Sequence, residues 1–130
     1  MNENTMQELS FLRNQASQLQ QQMVSMTKMF QENEAASLAL ENLSSMTKET
    51  LFQLGAGIFI KGKATDDSKV LMEIGARIIT EKTPEEAKKM LAERKKQLEE
   101  AMRQTESSYQ KVAEAMDEVA EKAREEEQSA

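Results

Sequence analysis

The sequence predicts a mainly α-helical fold with a small β part: two long helices form an antiparallel coiled-coil hairpin, and two β-hairpins join them. Three observations predict it. All four glycines and the only proline lie between residues 55 and 84, and these residues interrupt helices most strongly. The stretches on either side repeat apolar residues at alternating spacings of three and four. The two apolar seams also match each other when the chain is folded back at its centre.

Composition favours elongated helices over a compact globule. Of 130 residues only 38% are hydrophobic and 31% are charged, with no Trp, one Tyr and four Phe. A helical pair needs only a narrow apolar stripe, so this balance suits it. The length fits a single domain spanning residues 1–130.

Charge and cysteine content restrict the class of protein. The net charge of −6 argues against general nucleic-acid binding, which needs basic patches to neutralise phosphates. The lack of Cys excludes disulfides and suits a reducing compartment. The first residues do not form a secretory signal pattern, and no apolar run approaches the ~20 residues that span a bilayer. We therefore expect a cytoplasmic protein without membrane attachment.

The first helix is predicted over about residues 5–49. Its seam consists of Leu9, Leu12, Ala16, Leu19, Met23, Met26 and Phe30. The seam then meets Asn33 and Ser37 before it resumes at Leu40. Polar residues in a seam cost stability and can fix the register, or they can mark a flexible point. The sequence leaves both alternatives open for Asn33 and Ser37, and for Lys95 on the second helix.

The central segment, residues 51–82, is rich in β-branched and apolar residues that favour strands. Turn signals divide it into four short strands, at about 51–54, 57–63, 69–74 and 77–81. Two isolated hairpins are marginal in water and have unpaired edges, so we expect them to pair with strands of other chains. The residues predicted to form this oligomer contact are Leu54, Ile58, Ile60, Val70, Met72, Ile74 and Ile78.

The second helix is predicted over about residues 83–127. Thr83 is a suitable N-cap, Pro84 suits the first helical position, and Glu86 completes a capping box. The seam then continues with Leu91, Leu98, Met102, Thr105, Tyr109, Val112, Met116, Val119 and Ala123.

An antiparallel register follows from the two seams, because the numbers of facing residues should have a nearly constant sum. The sum is 131 or 132 for Leu12 with Val119, Leu19 with Val112, Phe30 with Met102, and Leu40 with Leu91. The same register places Asn33 beside Leu98 and Ser37 beside Lys95. The agreement favours an intramolecular hairpin.

The residue types give little indication of catalytic activity. Without histidine there is no imidazole base and no His-Cys metal cluster. Residues 57–63 come close to a phosphate-binding loop, but Ala64 stands where that motif needs Ser or Thr, and Ile58–Ile60 favours a strand. We expect no enzyme activity, no cofactor and no metal.

The chain resembles the archaeal-type alpha subunits of the prefoldin family. The likeness rests on the strand entry Leu54–Gly57, the second turn Glu73–Ala76 and the helix entry Glu81–Ala87. One departure is the lack of the proline that many relatives carry just before the first strand, where this chain has Lys48–Leu51. The two-helix layout extends the resemblance over essentially the whole chain.

The resemblance implies an ATP-independent holdase. Two alpha and four beta-type subunits would form a hexamer, with their hairpins building an inter-subunit β-barrel. Unfolded polypeptides would be captured at the coiled-coil tips and passed to a cytosolic group II chaperonin. The alternative is a structural coiled-coil protein, such as an adaptor or a filament-forming prefoldin-like subunit.

The substrate-binding residues are then expected at the end of the coil furthest from the strands, with apolar side chains partly exposed. The predicted set is Met6, Leu9, Leu12, Met116, Val119, Ala120 and Ala123.

Overall fold

The computed structural model describes residues 2–129 and confirms the predicted order of elements. Helix α1 (Glu3–Glu41) is followed by a short 3₁₀ helix (Leu43–Thr47). Helix α2 is the last element (Pro84–Ser129). Between them lie strands β1 (Thr50–Gly55), β2 (Ile58–Gly62), β3 (Val70–Gly75) and β4 (Ile78–Lys82).

The chain divides into two compact units. One contains the chain up to Phe30 together with the chain from Gln97 onward, and the other contains residues 31–96. Each long helix contributes to both units. The first unit is therefore purely helical, whereas the second holds the end of α1, all four strands and the start of α2.

Helix α1 ends at Glu41, eight residues before the predicted limit. Asn42 explains the stop, because its Nδ2 donates a hydrogen bond to the Leu38 carbonyl at 2.9 Å. The hydroxyls of Ser45 and Thr47 likewise bond to backbone carbonyls three residues earlier, at 2.6 and 2.7 Å. Such local bonds compete with helical ones, so the chain continues as a 3₁₀ helix.

The four strands form two separate two-stranded sheets, β1 with β2 and β3 with β4. Their registers repeat with an offset of twenty residues: Thr50 pairs with Gly62, and Val70 pairs with Lys82. Each tight turn has two residues of positive φ, Ala56 with Gly57 and Ala76 with Arg77. Such turns match the twist of antiparallel strands. The near-match to a phosphate-binding loop is thus a turn followed by strand β2.

The start of α2 confirms Thr83 as the N-cap, with Glu86 bonded to the Thr83 hydroxyl and not to its backbone N–H as in a full capping box. The Glu86 backbone N–H donates to Thr83 Oγ1 at 3.1 Å, and that hydroxyl donates to Glu86 Oε1 at 3.1 Å. The first bond satisfies one of the free amide groups at the helix terminus. A helix boundary set by neighbouring residues in this way is readable from the sequence.

In the helical unit the core follows the predicted seam. Val119 and Ala123 are buried, and the amide of Gln20 donates a hydrogen bond to the Tyr109 hydroxyl at 3.1 Å. These contacts join α1 to α2 within the unit and agree with the predicted antiparallel hairpin.

In the unit of residues 31–96 the buried residues include Ala87 and Leu91. Asn33 is also buried, and its Nδ2 donates to the Leu91 carbonyl at 3.0 Å. The heptad register had placed Asn33 beside Leu98, and the hydrogen bond joins it to the Leu91 backbone, two turns nearer the start of α2. Lys95, expected beside Ser37, forms an ion pair with Glu34, one helical turn from Ser37, at 3.1 Å. A buried, bonded asparagine favours the register-fixing alternative over a flexible point.

Candidate interaction surfaces

Most of the exposed large apolar side chains of residues 2–129 lie on the strands. Ten are exposed in this segment: Leu51, Phe52, Leu54, Ile58, Phe59, Ile60, Leu71, Ile74, Ile78 and Ile79. Neighbouring residues of a strand point to opposite faces, so an unbroken run such as Ile58–Ile60 leaves both faces of a hairpin apolar. A patch of this extent marks an interaction surface.

The seven residues predicted for the oligomer contact fall into two groups. Leu54, Ile58, Ile60, Ile74 and Ile78 are exposed, whereas Val70 and Met72 are half-buried. The latter two line a cavity of about 440 Å³ between β3 and both helices of their unit, where Leu40 and Leu91 are also found. Arg94 Nη2 donates to the Glu73 carbonyl at 3.1 Å and ties α2 to β3 beside this cavity.

The seven residues predicted for the distal tip differ widely in the exposure of their side chains. Met6 is 57% exposed, whereas Val119 and Ala123 are only 5% and 7% exposed. Leu9, Leu12, Met116 and Ala120 are half-buried. The structure therefore brings most of the set into the seam and leaves Met6 as its one freely accessible large side chain. A substrate-binding role for these residues stays a prediction.

A polar cluster closes the seam at this end, and the sequence reasoning missed it. Glu126 Oε1 accepts hydrogen bonds from Thr5 Oγ1 at 2.8 Å and from Asn2 Nδ2 at 2.9 Å. Glu126 Oε2 accepts from the Asn2 backbone N–H at 3.2 Å. Asn2 Oδ1 in turn caps α1 by accepting from the Thr5 backbone N–H at 2.8 Å. We call Asn2, Thr5 and Glu126 the polar clasp.

A signal for the polar clasp does exist in the sequence. Thr5 lies four residues before Leu9, and Glu126 lies three residues after Ala123, so both continue the seams. Their numbers also add to 131, the value of the predicted register. Thr5 is fully buried, at 0% exposure. The predicted seams stopped at Leu9 and Ala123, one step short of this polar pair.

Hydrogen bonding lowers the pKa of Glu126 below its ordinary value of 4.5, chiefly through the Thr5 hydroxyl and then through the Asn2 backbone N–H. A carboxyl whose pKa is lowered by folding stabilises the folded form at pH values above its ordinary pKa. That contribution is lost as the pH falls through the lowered value. The polar clasp should therefore be closed at neutral pH and open in acid.

We expect Glu126→Gln to loosen the first turns of α1 at pH 7 but not in acid, where protonated glutamate resembles glutamine. Backbone amide exchange in residues 3–10, corrected for its intrinsic pH dependence, should be about three- to tenfold faster than in the unaltered chain at pH 7. The neighbouring Glu127→Gln makes the same charge change and serves as the control. Equal exchange in both variants at pH 7 would contradict the polar clasp.

Helix α1 also exposes apolar residues, and α2 does not. Met6, Phe11, Val24, Met29 and Leu38 are exposed on α1. Within Pro84–Ser129 every large apolar side chain is buried or half-buried. The outer surface of α2 is instead densely charged, with exposed ion pairs such as Glu100–Arg103 at 2.6 Å. The two helices thus present different chemistry to solvent.

Groups suited to chemistry are sparse. Among residues 2–129 no cluster of three acidic side chains is arranged to hold a metal ion. Over the same residues, no helix is long and apolar enough to cross a membrane. The exposed apolar side chains of the strands and of α1 are the main interaction features of the described residues.

Comparison with known proteins agrees with the fold. The family model for the prefoldin subunit matches residues 4–129. Prefoldin subunit alpha of Thermofilum pendens is 33% identical over 90 residues, covering 68% of this chain and 70% of that protein. Prefoldin subunit alpha of Nitrosopumilus maritimus is 31% identical over 96 residues, covering 71% of this chain and 64% of that protein.

A solved structure provides the fold-level comparison. It is titled as a cryo-EM structure of filamentous PFD from Methanocaldococcus jannaschii, and it superposes with a TM-score of 0.72. The match covers 88% of this chain and 98% of that one at 20% identity, so it supports the two-helix, two-hairpin fold alone. Because the family model spans nearly the whole chain and the alpha-subunit relatives exceed 30% identity, this chain belongs to the prefoldin subunit family.

Proposed function

We propose that this chain is the alpha-type subunit of an ATP-independent holdase, which captures unfolded polypeptides and passes them to a group II chaperonin in the cytoplasm. Membership of the prefoldin family makes the protein a chaperone-type subunit that assembles with other prefoldin subunits. The proposal adds that the subunit is of the alpha type, that capture needs no ATP, and that the substrate passes to a group II chaperonin. Its main support is the exposure of apolar side chains on the strands and on α1, with none on α2.

The strands supply the assembly contact of the proposal. Each hairpin has two antiparallel strands with exposed apolar faces that it cannot bury by itself, except where Val70 and Met72 of β3 line the cavity beside the helices. Hairpins of two alpha and four beta-type subunits would bury these faces in a β-barrel. Burial of one isoleucine side chain contributes roughly 1.5–3 kcal/mol, so a few such contacts per subunit suffice for a stable complex.

The coiled-coil arms supply the capture of substrate. Several arms held on one base raise the effective concentration of weak sites, so shallow contacts with an unfolded chain add to useful affinity. Met6 and its half-buried neighbours Leu9 and Leu12 are the proposed contacts at the tips. No bound nucleotide enters this scheme.

The test is suppression of aggregation of a chemically denatured protein by the assembled complex. We expect the same suppression with ATP, without ATP and with a metal chelator, since capture depends on preformed apolar surface. Light scattering during dilution from denaturant measures it. A strict requirement for nucleotide would overturn the proposal and return attention to Gly57–Lys63.

A structural role, as an adaptor or as a repeating unit of a filament, is the second candidate. The exposed hairpins serve that role equally well. A structural role, however, does not require accessible apolar residues on α1. Phe11 and Val24 of that helix are 62% and 71% exposed. That observation favours the holdase.

A further inference from the structure

Methionine supplies all of the sulfur in this chain. Ten of its 130 residues are methionine, and there is no cysteine. The chain also lacks tryptophan and histidine and has one tyrosine. Peroxides transfer an oxygen atom to thiolates and to thioethers, so in a chain without cysteine the methionine sulfurs are the groups that react. Oxidation of this protein is therefore directed to its methionines.

The methionines differ in how accessible their side chains are. Of the nine within residues 2–129, two are exposed, Met6 at 57% and Met29 at 51%. The others are half-buried: Met23, Met26, Met46, Met72, Met90, Met102 and Met116. A peroxide must reach the sulfur atom, so the rate of oxidation follows the exposure of the side chain. Met6 and Met29 should therefore be oxidised before the rest.

Met6 is held in place at the start of α1. Its backbone N–H donates a hydrogen bond to the Asn2 carbonyl at 3.0 Å. The preceding residue, Thr5, belongs to the polar clasp and bonds to Glu126 of α2. The clasp therefore fixes the backbone of this turn while the Met6 side chain stays exposed. The result is a thioether presented to solvent at the tip of the arm.

We propose that Met6 is an oxidation-sensitive modification site, at which conversion to the sulfoxide switches off capture at the tip and reduction restores it. The inference rests on the proposed function, in which Met6 is an apolar contact for the substrate. A sulfoxide is polar and accepts hydrogen bonds from water, so the modified side chain no longer offers an apolar surface. Met29 is exposed to a similar extent but lies outside the set of residues predicted for the tip.

The modifying agent is a peroxide. The Met6 sulfur donates a lone pair to one oxygen of hydrogen peroxide, and an S–O bond forms as the O–O bond breaks. The transferred hydroxyl gives its proton to the departing hydroxide, which leaves as water. Sulfur is oxidised by two electrons and the peroxide is reduced by two. Methionine sulfoxide reductases reverse the step with two thiols, which become a disulfide while the oxygen leaves as water.

A low dose of peroxide separates this modification from general damage. Met23, Met26, Met102 and Met116 lie in the predicted seams, where a sulfoxide would disrupt the packing of the helices. Their side chains are half-buried, so they should stay reduced while Met6 reacts. Unchanged circular dichroism identifies the doses at which the helices remain intact.

The test treats the full chain in its assembly with hydrogen peroxide, which is then removed. Peptide mass mapping with fragmentation follows the gain of one oxygen at each methionine. Light scattering gives the concentration of assembly needed for half-suppression of aggregation. Met6→Leu removes the thioether and keeps an apolar side chain. Met29→Leu is the matched control, because it makes the same change at the other exposed methionine of α1. Each assembly is compared with itself before and after treatment.

We expect Met6 and Met29 to gain oxygen about tenfold faster than the half-buried methionines. Treatment should raise the half-suppression concentration about three- to tenfold for the unaltered assembly and for Met29→Leu. Methionine sulfoxide reductases supplied with a dithiol should restore the starting value. For Met6→Leu the treated and untreated values should agree within about twofold.

An equal loss of suppression in Met6→Leu and in the unaltered assembly would place the sensitive group elsewhere and overturn the inference. Complete oxidation of Met6 without loss of suppression would overturn it too, as would oxidation of Met6 no faster than that of the half-buried methionines. These results leave the proposed function intact. An untreated, unaltered assembly that does not suppress aggregation would overturn the proposed function itself, and the inference with it.

Discussion

Replacing Ile58 and Ile60 together with lysine is expected to abolish assembly while the helices remain folded. Both residues lie on β2 two positions apart, so they share one face, and they are 59% and 53% exposed. Losing the burial of two isoleucines removes about 3–6 kcal/mol, or about 10²- to 10⁴-fold in affinity. Two buried lysine charges would add a further cost.

Native mass measurement after co-expression with a beta-type prefoldin subunit checks this result, and circular dichroism checks the helices. Thr65→Lys with Ser68→Lys is the matched control, since it adds two lysines at exposed polar positions of the loop between β2 and β3. The control should assemble normally. A full-size assembly from the isoleucine variant would mean that the coils hold the oligomer together.

Deleting residues 1–10 together with 120–130 is expected to leave the assembly intact and to weaken capture severely. The deletion removes Met6, the polar clasp and the buried Ala123, so the tips lose both their accessible apolar residue and their closure. Because several arms act together, a modest loss per arm is multiplied. The concentration needed for half-suppression of aggregation should rise about tenfold or more.

Two point variants test whether the loss of aggregation suppression comes from the tip of the arm. Met6 and Leu38 are exposed to a similar extent on α1, 57% and 60%, but only Met6 lies near the tip. Met6→Gln should weaken suppression, and Leu38→Gln should not. Unchanged suppression by the truncated assembly would place the capture surface elsewhere on the arms or on the partner subunits.

Local features of this fold were predictable from the sequence because they depend on neighbouring residues. The seam spacing predicted both helices, and glycine and proline positions predicted the four strands to within two residues. The N-cap bond of Thr83 and Glu86 was readable for the same reason, since its partners lie three residues apart. The end of α1 was not, because Asn42 and the serines after it form bonds that no periodicity reveals.

Only the tertiary structure decided which side chains meet across the helices. Heptad spacing predicts which faces of two helices meet, but it does not identify hydrogen-bond partners. The Nδ2 of Asn33 donates to the Leu91 carbonyl, a bond that periodicity does not reveal. The polar clasp likewise depends on the rotation of one helix against the other. Sequence periodicity determined that these helices pair; packing and hydrogen bonding determined which of their surfaces remain open to a partner.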